Sequence, residues 1–585
     1  MTALSVVDYL PPYDPAWSTS VPDWERRIVE RQPLVPELPL FADEAERAVR
    51  VFNRLRLPDV HGTPRFEDAA GDWFRDIVRT LFGALDPVTL RRLISEVFLL
   101  VPKKNAKTTG AAAIMVTALI VNRRPQAEAL IIAPTKDITD LAFSQALGMI
   151  RADPELAKIF HVQTHIRRIT DRRNHAFLMV KAADTDAVTG SKPTYALIDE
   201  VHVFGANARA REVFLEIRGG LAVRPDGFLV QITTQSKSPP TGVFKAELER
   251  ARAVRDGRQN LPLLPVLYEL PKAMQATRRG ERPVWADPAT FALVNPNLGL
   301  SSDPAFLSRQ LQAAEAEGPE ALALFASQYL NVEIGVGLNA DGWSGARFWS
   351  RGNGGPKTLQ ELIDRSEVLC IGIDGGGADD LYGIAVVGRE EGTKRWLGWA
   401  HALISPEGFE LRKENQPRYQ DFIAEGDLTI LDLGEFDPAA EQENNHLAYV
   451  ADVAKQCLDS GKLHCVGVDA AGLGRTVDAL ETVGISTANE NLVAVGQGIK
   501  LMNAAKTIET RLLDGSFRHS GSGLLAWAVG NAKVRQTSTA VMIERSASGL
   551  GKIDPLMALL NAAHLMSLNP EPAGALTDAD VFMMV

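Results

Sequence analysis

Short, wholly apolar runs alternate with amphipathic stretches along the first half of the chain. EVFLLV (96–101), ALIIA (129–133), AFLMV (176–180), YALID (195–199) and FLVQIT (228–233) are short enough for strands and apolar enough to be buried on both faces. Helix-like stretches, TGAAAIMVTALIV and DLAFSQALGMI among them, lie between these runs. The alternation predicts βαβ units, a parallel sheet with helices on both faces. Upstream, residues 42–55 and 72–82 carry apolar positions at helical spacing, after a Pro-rich opening to about Pro39 expected to wrap the surface. From Pro240 to about Asn331 the pattern is mostly helical, with an insertion-like segment around 283–299.

A second α/β pattern starts at VLCIGID (368–374). YGIAVVG and RWLGWAHAL follow closely, which predicts three consecutive antiparallel strands. A long helix-like stretch (441–458), the strand HCVGVD (464–469), a helix, the strand LVAVG (492–496) and several helices come next. Between the two patterns, residues 335–356 are rich in Gly and Ser and carry Trp343, Phe348 and Trp349, as expected of an interdomain linker with an anchoring patch.

Composition changes this picture little. A chain of 585 residues is too long for one core. Three cysteines, Cys370, Cys457 and Cys465, form no metal-ligand spacing and read as buried core residues. No run reaches the roughly 18 apolar residues that span a bilayer, and the first residues lack the pattern of a signal peptide. The net charge of −11 argues against a protein coated in nucleic acid, but not against local basic groups touching DNA. A soluble, cytoplasmic, multidomain protein is expected.

Chemistry enters at two places. VPKKNAKTTG (101–110) joins an apolar strand to a helix, the setting in which backbone N–H groups curl around phosphates. Lys107 can neutralise those phosphates and the Thr108 hydroxyl can hold Mg²⁺. Val101 and Ala106 stand where a standard phosphate loop has glycines. The strand YALIDEVH then ends in adjacent carboxylates: Asp199 suits Mg²⁺, and Glu200 suits polarising the attacking water. ITTQS (232–236) ends the next strand in small polar side chains, suited to sensing a γ-phosphate. In the second half, Asp374 and Asp469 end two apolar strands and Asp554 starts a helix. Three antiparallel strands followed by βα units, with acids on the first and fourth strands and a late helix, match the layout of an RNase H-like nuclease. Such acids hold two divalent ions about 3.5–4 Å apart for phosphodiester cleavage. Asp380 is a further candidate ligand, and the Gly375–Gly377 run leaves room for a DNA backbone. No GxSxG, HExxH or CxxC occurs. His202 and His519 read as hydrogen-bonded structural residues. RRITDRRNH (167–175) reads either as a phosphate contact or as a solvated hairpin.

Over nearly the whole chain these residues resemble the large terminase family of tailed phages. VPKKNAKT resembles the family's VPRxNGKT, with Lys103 for Arg and Ala106 for Gly. TGSKPTYALIDEVHVFG resembles the run into its DE-H motif, and ITTQS its coupling motif. VNPNLG (294–299) and QYLN (328–331) resemble landmarks before the linker. Trp73 falls where the family often has a Trp-Gln pair near the adenine, with Phe74 in place of Gln. IGIDGGGADDLYGIA resembles GxDxxxxxDxTA, and VGVDAAG, GQG (496–498) and KIDPLMAL match later landmarks.

The resemblance implies an N-terminal arm and helix (1–60), a P-loop ATPase core (61–239), a helical subdomain (240–334), a linker (335–360) and an RNase H-like nuclease domain (361–585). It implies that Lys103, Lys104, Asn105, Ala106, Lys107, Thr108, Thr109 and Asp199 bind ATP with Mg²⁺, Thr108 and Asp199 on the ion, with Glu200 catalytic. Asp374, Asp380, Asp469 and Asp554 would hold two Mg²⁺ or Mn²⁺ ions. It further implies double-stranded DNA, a portal protein and a small terminase subunit as partners, a homo-oligomeric ring, no membrane, and work in the host cytoplasm. In the family an arginine usually completes the ATPase site, from within the subunit or from a neighbour, and Lys103, Lys104, Arg218 and Arg224 are candidates for that basic group. Three other readings stand beside this one: a cellular ATP-dependent DNA repair helicase-nuclease, a capsid-assembly protein with inactive sites, and a domesticated terminase that packages host DNA.

Overall fold

The structure, a computed structural model, describes residues 18–86, 89, 91–183, 190–207, 209–275, 282–334, 343–375, 380–434, 445–469, 474–496, 499–536, 541–545 and 551–572. The chain divides into two compact units, Met1–Ile334 and Gly335–Val585.

Among the described residues the first unit holds an eight-stranded sheet. Its strands are β1 (Glu96–Leu100), β2 (Glu128–Ala133), β3 (Phe160–Gln163), β4 (Arg168–Asp171), β5 (Phe177–Ala182), β6 (Tyr195–Asp199), β7 (Phe228–Thr233) and β8 (Leu263–Leu267). They lie in the order β3-β4-β5-β2-β6-β7-β1-β8. All pairings from β5 to β8 are parallel, and the β1, β6, β7 and β8 residues are buried throughout. Phe98, Leu100, Ile198 and Leu229 pack with Phe214, Ile217, Phe244 and Leu248 of the helices Ala210–Ala222 and Gly242–Arg255. The helix Lys107–Val121 packs on β6 and β7 and on the helices Ala42–Arg54 and Lys136–Arg151. The α/β class is as the sequence predicts.

Three features differ from expectation. β8 lies within the stretch expected to be helical; it pairs with β1 and contains Pro265, which hides its strand character. The sheet therefore runs past residue 239. β3 and β4 form an antiparallel edge, and RRITDRRNH spans β4 and the turn into β5, where Arg173 pairs with Asp171 at 2.7 Å and Arg168 lies over Phe177. Within the Pro-rich opening, the described residues from 18 on pack against the first unit beyond simple surface wrapping: Thr19 Oγ1 donates to the Leu263 carbonyl, and Trp24, opening the helix Trp24–Glu30, sits under the Arg255 guanidinium.

The second unit holds β9 (Ser366–Gly375), β10 (Tyr382–Glu390), β11 (Trp396–Ile404), β12 (Leu428–Ile430), β13 (Leu463–Asp469), β14 (Leu492–Val495) and β15 (Phe517–His519). The order is β12-β11-β10-β9-β13-β14, with β15 beside β11. β9, β10 and β11 are antiparallel, as expected, while β13 runs parallel to β9 and β14 parallel to β13. Asp469 ends the fifth strand of this sheet in chain order rather than the fourth, because the short β12 intervenes. Within the expected linker 335–360, the described residues from 343 on join this unit. Trp343 and Trp349 are buried in the core of this unit, the Trp343 N–H donates to the Ala532 carbonyl, and Trp349 stacks on His519.

The helix Asp554–Met566 is pressed onto β9 through a glycine. A Cβ on Gly372 would lie 2.0 Å from the Ala558 carbonyl oxygen and 2.5 Å from the Ala562 nitrogen. Asn561 Nδ2 donates to the Ile373 carbonyl at 2.9 Å. Gly372→Ala is therefore expected to force helix and strand apart and destabilise this unit by about 1–3 kcal/mol or more. Gly474→Ala, where a Cβ meets open space, is the control. Denaturant melts of the full chain would check both; equal midpoints would show that the helix yields without cost.

Candidate active sites

The parallel register brings three strand ends together. Leu100 pairs with Thr233, and Asp199 with Ile232, so the loop after β1, the DE pair after β6 and the ITTQS segment share one edge of the sheet. Thr108 Oγ1 donates to Asp199 Oδ2 at 2.9 Å, although 91 residues separate them. Lys107 Nζ pairs with Glu200 Oε1 at 2.9 Å. Asp199 is fully buried, and burial followed by the Glu200 charge raises its pKa. Burial also opposes ionisation of Glu200, but the Lys107 charge and then His202 outweigh it and hold that carboxyl low. His202 is thus more than a structural histidine. Its Nδ1 lies 3.2 Å from Glu200 Oε2 and 3.2 Å from Thr233 Oγ1, linking the carboxylate to the end of β7.

The loop 101–106 lacks glycine, and two of its residues take left-handed backbone angles, Lys104 at φ 71° and Ala106 at φ 54°. Neighbouring side chains hold it there. Asn105 Nδ2 donates to Asn295 Oδ1 at 2.7 Å and to the Pro102 carbonyl, while Asn105 Oδ1 accepts from the Asn297 N–H at 3.0 Å. Asn297 Nδ2 donates back to the Asn105 carbonyl, and Asn297 Oδ1 accepts from Trp73 Nε1 at 2.9 Å. The Lys103 N–H donates to the Gln328 carbonyl, and Gln328 Nε2 donates to the Gln235 carbonyl. Asn331 Oδ1 accepts from the Gln235 N–H. So VNPNLG is not an insertion: with QYLN it clamps the loop and the coupling segment together. The side chain of Asn105, a candidate nucleotide-binding residue, is engaged in this clamp. Trp73 stacks on Phe74 with ring centroids 3.7 Å apart, and Phe74 fills the space that a Cβ on Gly110 would need.

The remaining loop residues divide by position. Lys103 is half-buried; burial and then the Lys237 charge lower its pKa, with Lys107 and Lys104 adding to the effect. Lys237, exposed beside this cluster, went unnoticed in the sequence. Lys104 is exposed with its ammonium over Phe306, and Thr109 lies half-buried in the first helical turn. Within one chain Arg218 and Arg224 stand away from this site. Arg218 is bound to Glu96 and Glu247 at the opposite end of β1, and Arg224 precedes the start of β7 at that same end. Polar atoms at the phosphate end suit an anionic ligand with a cation. Buried Thr234 Oγ1 and Gln235 Nε2 make no hydrogen bond, and the amides opening the helix Lys107–Val121 carry its positive dipole end.

In the second unit, Asp374 pairs in register with Gly383 of β10. A Cβ on Gly383 would lie 2.7 Å from the Asp554 carbonyl, so this glycine lets the helix start approach Asp374. Ile373 pairs with Val468, which sets Asp469 beside Asp374 at parallel strand ends. Burial first, then the charges of Asp554, Asp469 and Asp380, push the Asp374 carboxyl up to about 8. Asp380 Oδ1 is ion-paired with Lys552 Nζ. Among the described residues no three acidic, His or Cys side chains are already drawn to metal-ligand spacing. The donor chemistry nevertheless fits hard divalent ions: all four groups are carboxylates, and their mutual repulsion is relieved by a cation. Residues 376–379, 470–473 and 497–498, which include parts of GGG, VGVDAAG and GQG, lie outside the described residues.

Two outcomes are expected from this geometry. Ala106→Gly removes a left-handed strain of about 1 kcal/mol and should tighten nucleotide binding without loss of stability. A fluorescent ATP analogue and a melting curve would check it, and weaker binding would mean that the Ala106 methyl is itself a contact. The second outcome concerns pH. Because Asp374 titrates higher folded than unfolded, its contribution to ion-free stability is complete below about 4 and is lost as pH rises to about 8. Melting temperature in a chelator should therefore fall from pH 5 to 9, less steeply in Asp374→Asn; identical slopes would contradict the burial of this carboxyl.

Comparison with known proteins adds the family. A model of the terminase large subunit ATPase domain matches residues 72–250, and one of its endonuclease domain matches residues 285–568. Protein YmfN of Escherichia coli strain K12 is 23% identical over 395 residues, 64% of this chain and 77% of that protein. The HK97 bacteriophage large terminase aligns with a TM-score of 0.44 and 18% identity, covering 89% of this chain and 99% of that one. The large terminase of a thermophilic bacteriophage, in complex with ATP-gamma-S, gives 0.29 and 10%, covering 90% and 99%. Among the described residues no helix is long and apolar enough to cross a membrane. With both domain models matched in order over most of its length, the chain belongs to the terminase large subunit family and is an ATPase and endonuclease of viral DNA packaging.

Proposed function

We propose that the first unit hydrolyses ATP with Mg²⁺ and that the second cuts double-stranded DNA with two Mg²⁺ or Mn²⁺ ions. Lys107 and the amides at the start of its helix take the phosphates, with Lys103 adding charge. Thr108 and Asp199 hold the magnesium, and Glu200 orients the attacking water. The observation that carries this reading is the meeting of the two motif halves, Thr108 on Asp199 and Lys107 on Glu200, each at 2.9 Å. Without nucleotide, Lys107 and Glu200 neutralise one another. A phosphate draws Lys107 away and leaves Glu200 ionised and held by His202. Because His202 also bonds Thr233, the change reaches Gln235 and, through Gln328 and Asn331, the helix Pro319–Leu330. That path suits coupling hydrolysis to DNA movement.

In the second unit Asp374, Asp469, Asp554 and Asp380 bind the ions, which activate water and stabilise the leaving oxygen. The working assembly we infer is a homo-oligomeric ring of this chain on a portal protein, fed DNA by a small terminase subunit in the host cytoplasm. The motor translocates DNA into a procapsid and the nuclease cuts the concatemer.

The two activities should separate by mutation in the full-length chain. Lys107→Ala is expected to lower ATP hydrolysis by about a hundredfold or more while plasmid cleavage with Mn²⁺ persists. Asp374→Ala is expected to do the reverse. ATP hydrolysis surviving in Lys107→Ala would remove the P-loop assignment, and cleavage surviving in Asp374→Ala the nuclease assignment.

A further inference from the structure

Lys552 opens the KIDPLMAL segment, but the sequence reading gives chemistry there only to Asp554. It is 1% exposed and precedes Asp554 by two residues, at the entry to the helix Asp554–Met566. Its ammonium is ion-paired and hydrogen-bonded to Asp380 Oδ1. The backbone that carries it is anchored. Asn531 Nδ2 donates to the Lys552 carbonyl at 3.0 Å, and a Cβ on Gly551 would stand 2.8 Å from Asn531 Cγ, so the chain passes close against Asn531. Burying an ammonium is costly unless a carboxylate answers it. Here the answering carboxylate is one of the acids whose charge bears on Asp374.

A lysine ammonium and a divalent ion want the same carboxylate oxygens. The ammonium offers only donors on one charge, whereas the ion carries two charges. The Asp380 side chain keeps 28% of its surface exposed while Lys552 is enclosed, so an ion can approach Asp380 from solvent and the lysine cannot leave the site.

We propose that Lys552 is the resident counter-cation of the nuclease centre: it holds Asp380 in the ion-free protein and competes with a divalent ion for that carboxylate. The ion that needs Asp380 then binds more weakly than an ion held by Asp374, Asp469 and Asp554. Lys552 acts through Asp380 and is a positioning residue. The inference rests on the assignment of the four aspartates to ion binding.

Manganese binding to the full-length chain, by calorimetry and electron paramagnetic resonance, tests it. The wild type should show a tight and a weak class of ion. Lys552→Met keeps the apolar stem without the charge and should tighten the weak class about tenfold or more. Lys552→Arg keeps the charge and should resemble the wild type. Asp380→Asn should lose the weak class and keep the tight one, a readout available even where Lys552→Met does not fold. Unchanged or weaker manganese binding in Lys552→Met, an arginine variant that behaves like the methionine variant, or a weak class that survives in Asp380→Asn overturns the inference. Manganese that still depends on Asp374 in those cases leaves the nuclease centre standing. Manganese retained in full by Asp374→Ala, or absent from the wild type, removes the centre and the inference together.

Discussion

A strand-to-helix loop without glycine cannot hold left-handed turns by backbone freedom, and in this protein the shape of the loop 101–106 is imposed by buried side-chain amides. Lys104 and Ala106 are kept in left-handed conformations by Asn105, which is itself gripped by Asn295 and Asn297. Inside a low-dielectric site such hydrogen bonds are strong when every partner is satisfied and costly when one is missing. The loop is therefore only as well formed as its clamp. The helix Pro319–Leu330 closes the circuit, accepting from Lys103 and donating to the Gln235 carbonyl. Lys107, Glu200, His202 and Thr233 complete it on the other side. Nucleotide chemistry and the helical region are thus mechanically one object.

The nuclease centre solves a different problem, that of packing like charges. Gly372 and Gly383 let a helix lie so close to two strands that Asp554 reaches Asp374. Larger residues at either position would hold the acids apart. Burial first and that repulsion second raise the pKa of Asp374, while Lys552 answers the charge of Asp380. Close approach and charge crowding are consequences of the same packing.

Much of this was legible beforehand where the signal is local. The buried strands carrying Asp199, Asp374 and Asp469 announce themselves as short apolar runs ending in an acid. Lys107 and Thr108 stand at a strand-to-helix turn, and the three antiparallel strands of the second unit follow from consecutive apolar runs. The misses have physical causes. Pro265 disguised β8 as something other than a strand, and the tryptophans at 343 and 349 looked like linker anchors when they are core. That Arg218 and Arg224 lie at the far end of the sheet from Lys107 was not legible, because sequence does not say at which end of a strand a neighbouring helix deposits its charges.

The sequence by itself determined the elements, the residue types at the strand ends and their order, since these depend on periodicity and on chemistry carried by neighbouring residues. Only the tertiary structure decided the partners. That the Asn105 side chain bonds Asn295 and Asn297, that His202 bridges Glu200 to Thr233, and that Lys552 answers Asp380 each join residues far apart in the chain or on different elements. The reason is that a buried polar group must be satisfied by whatever the fold brings within about 3 Å, and proximity in space is not written in spacing along the chain.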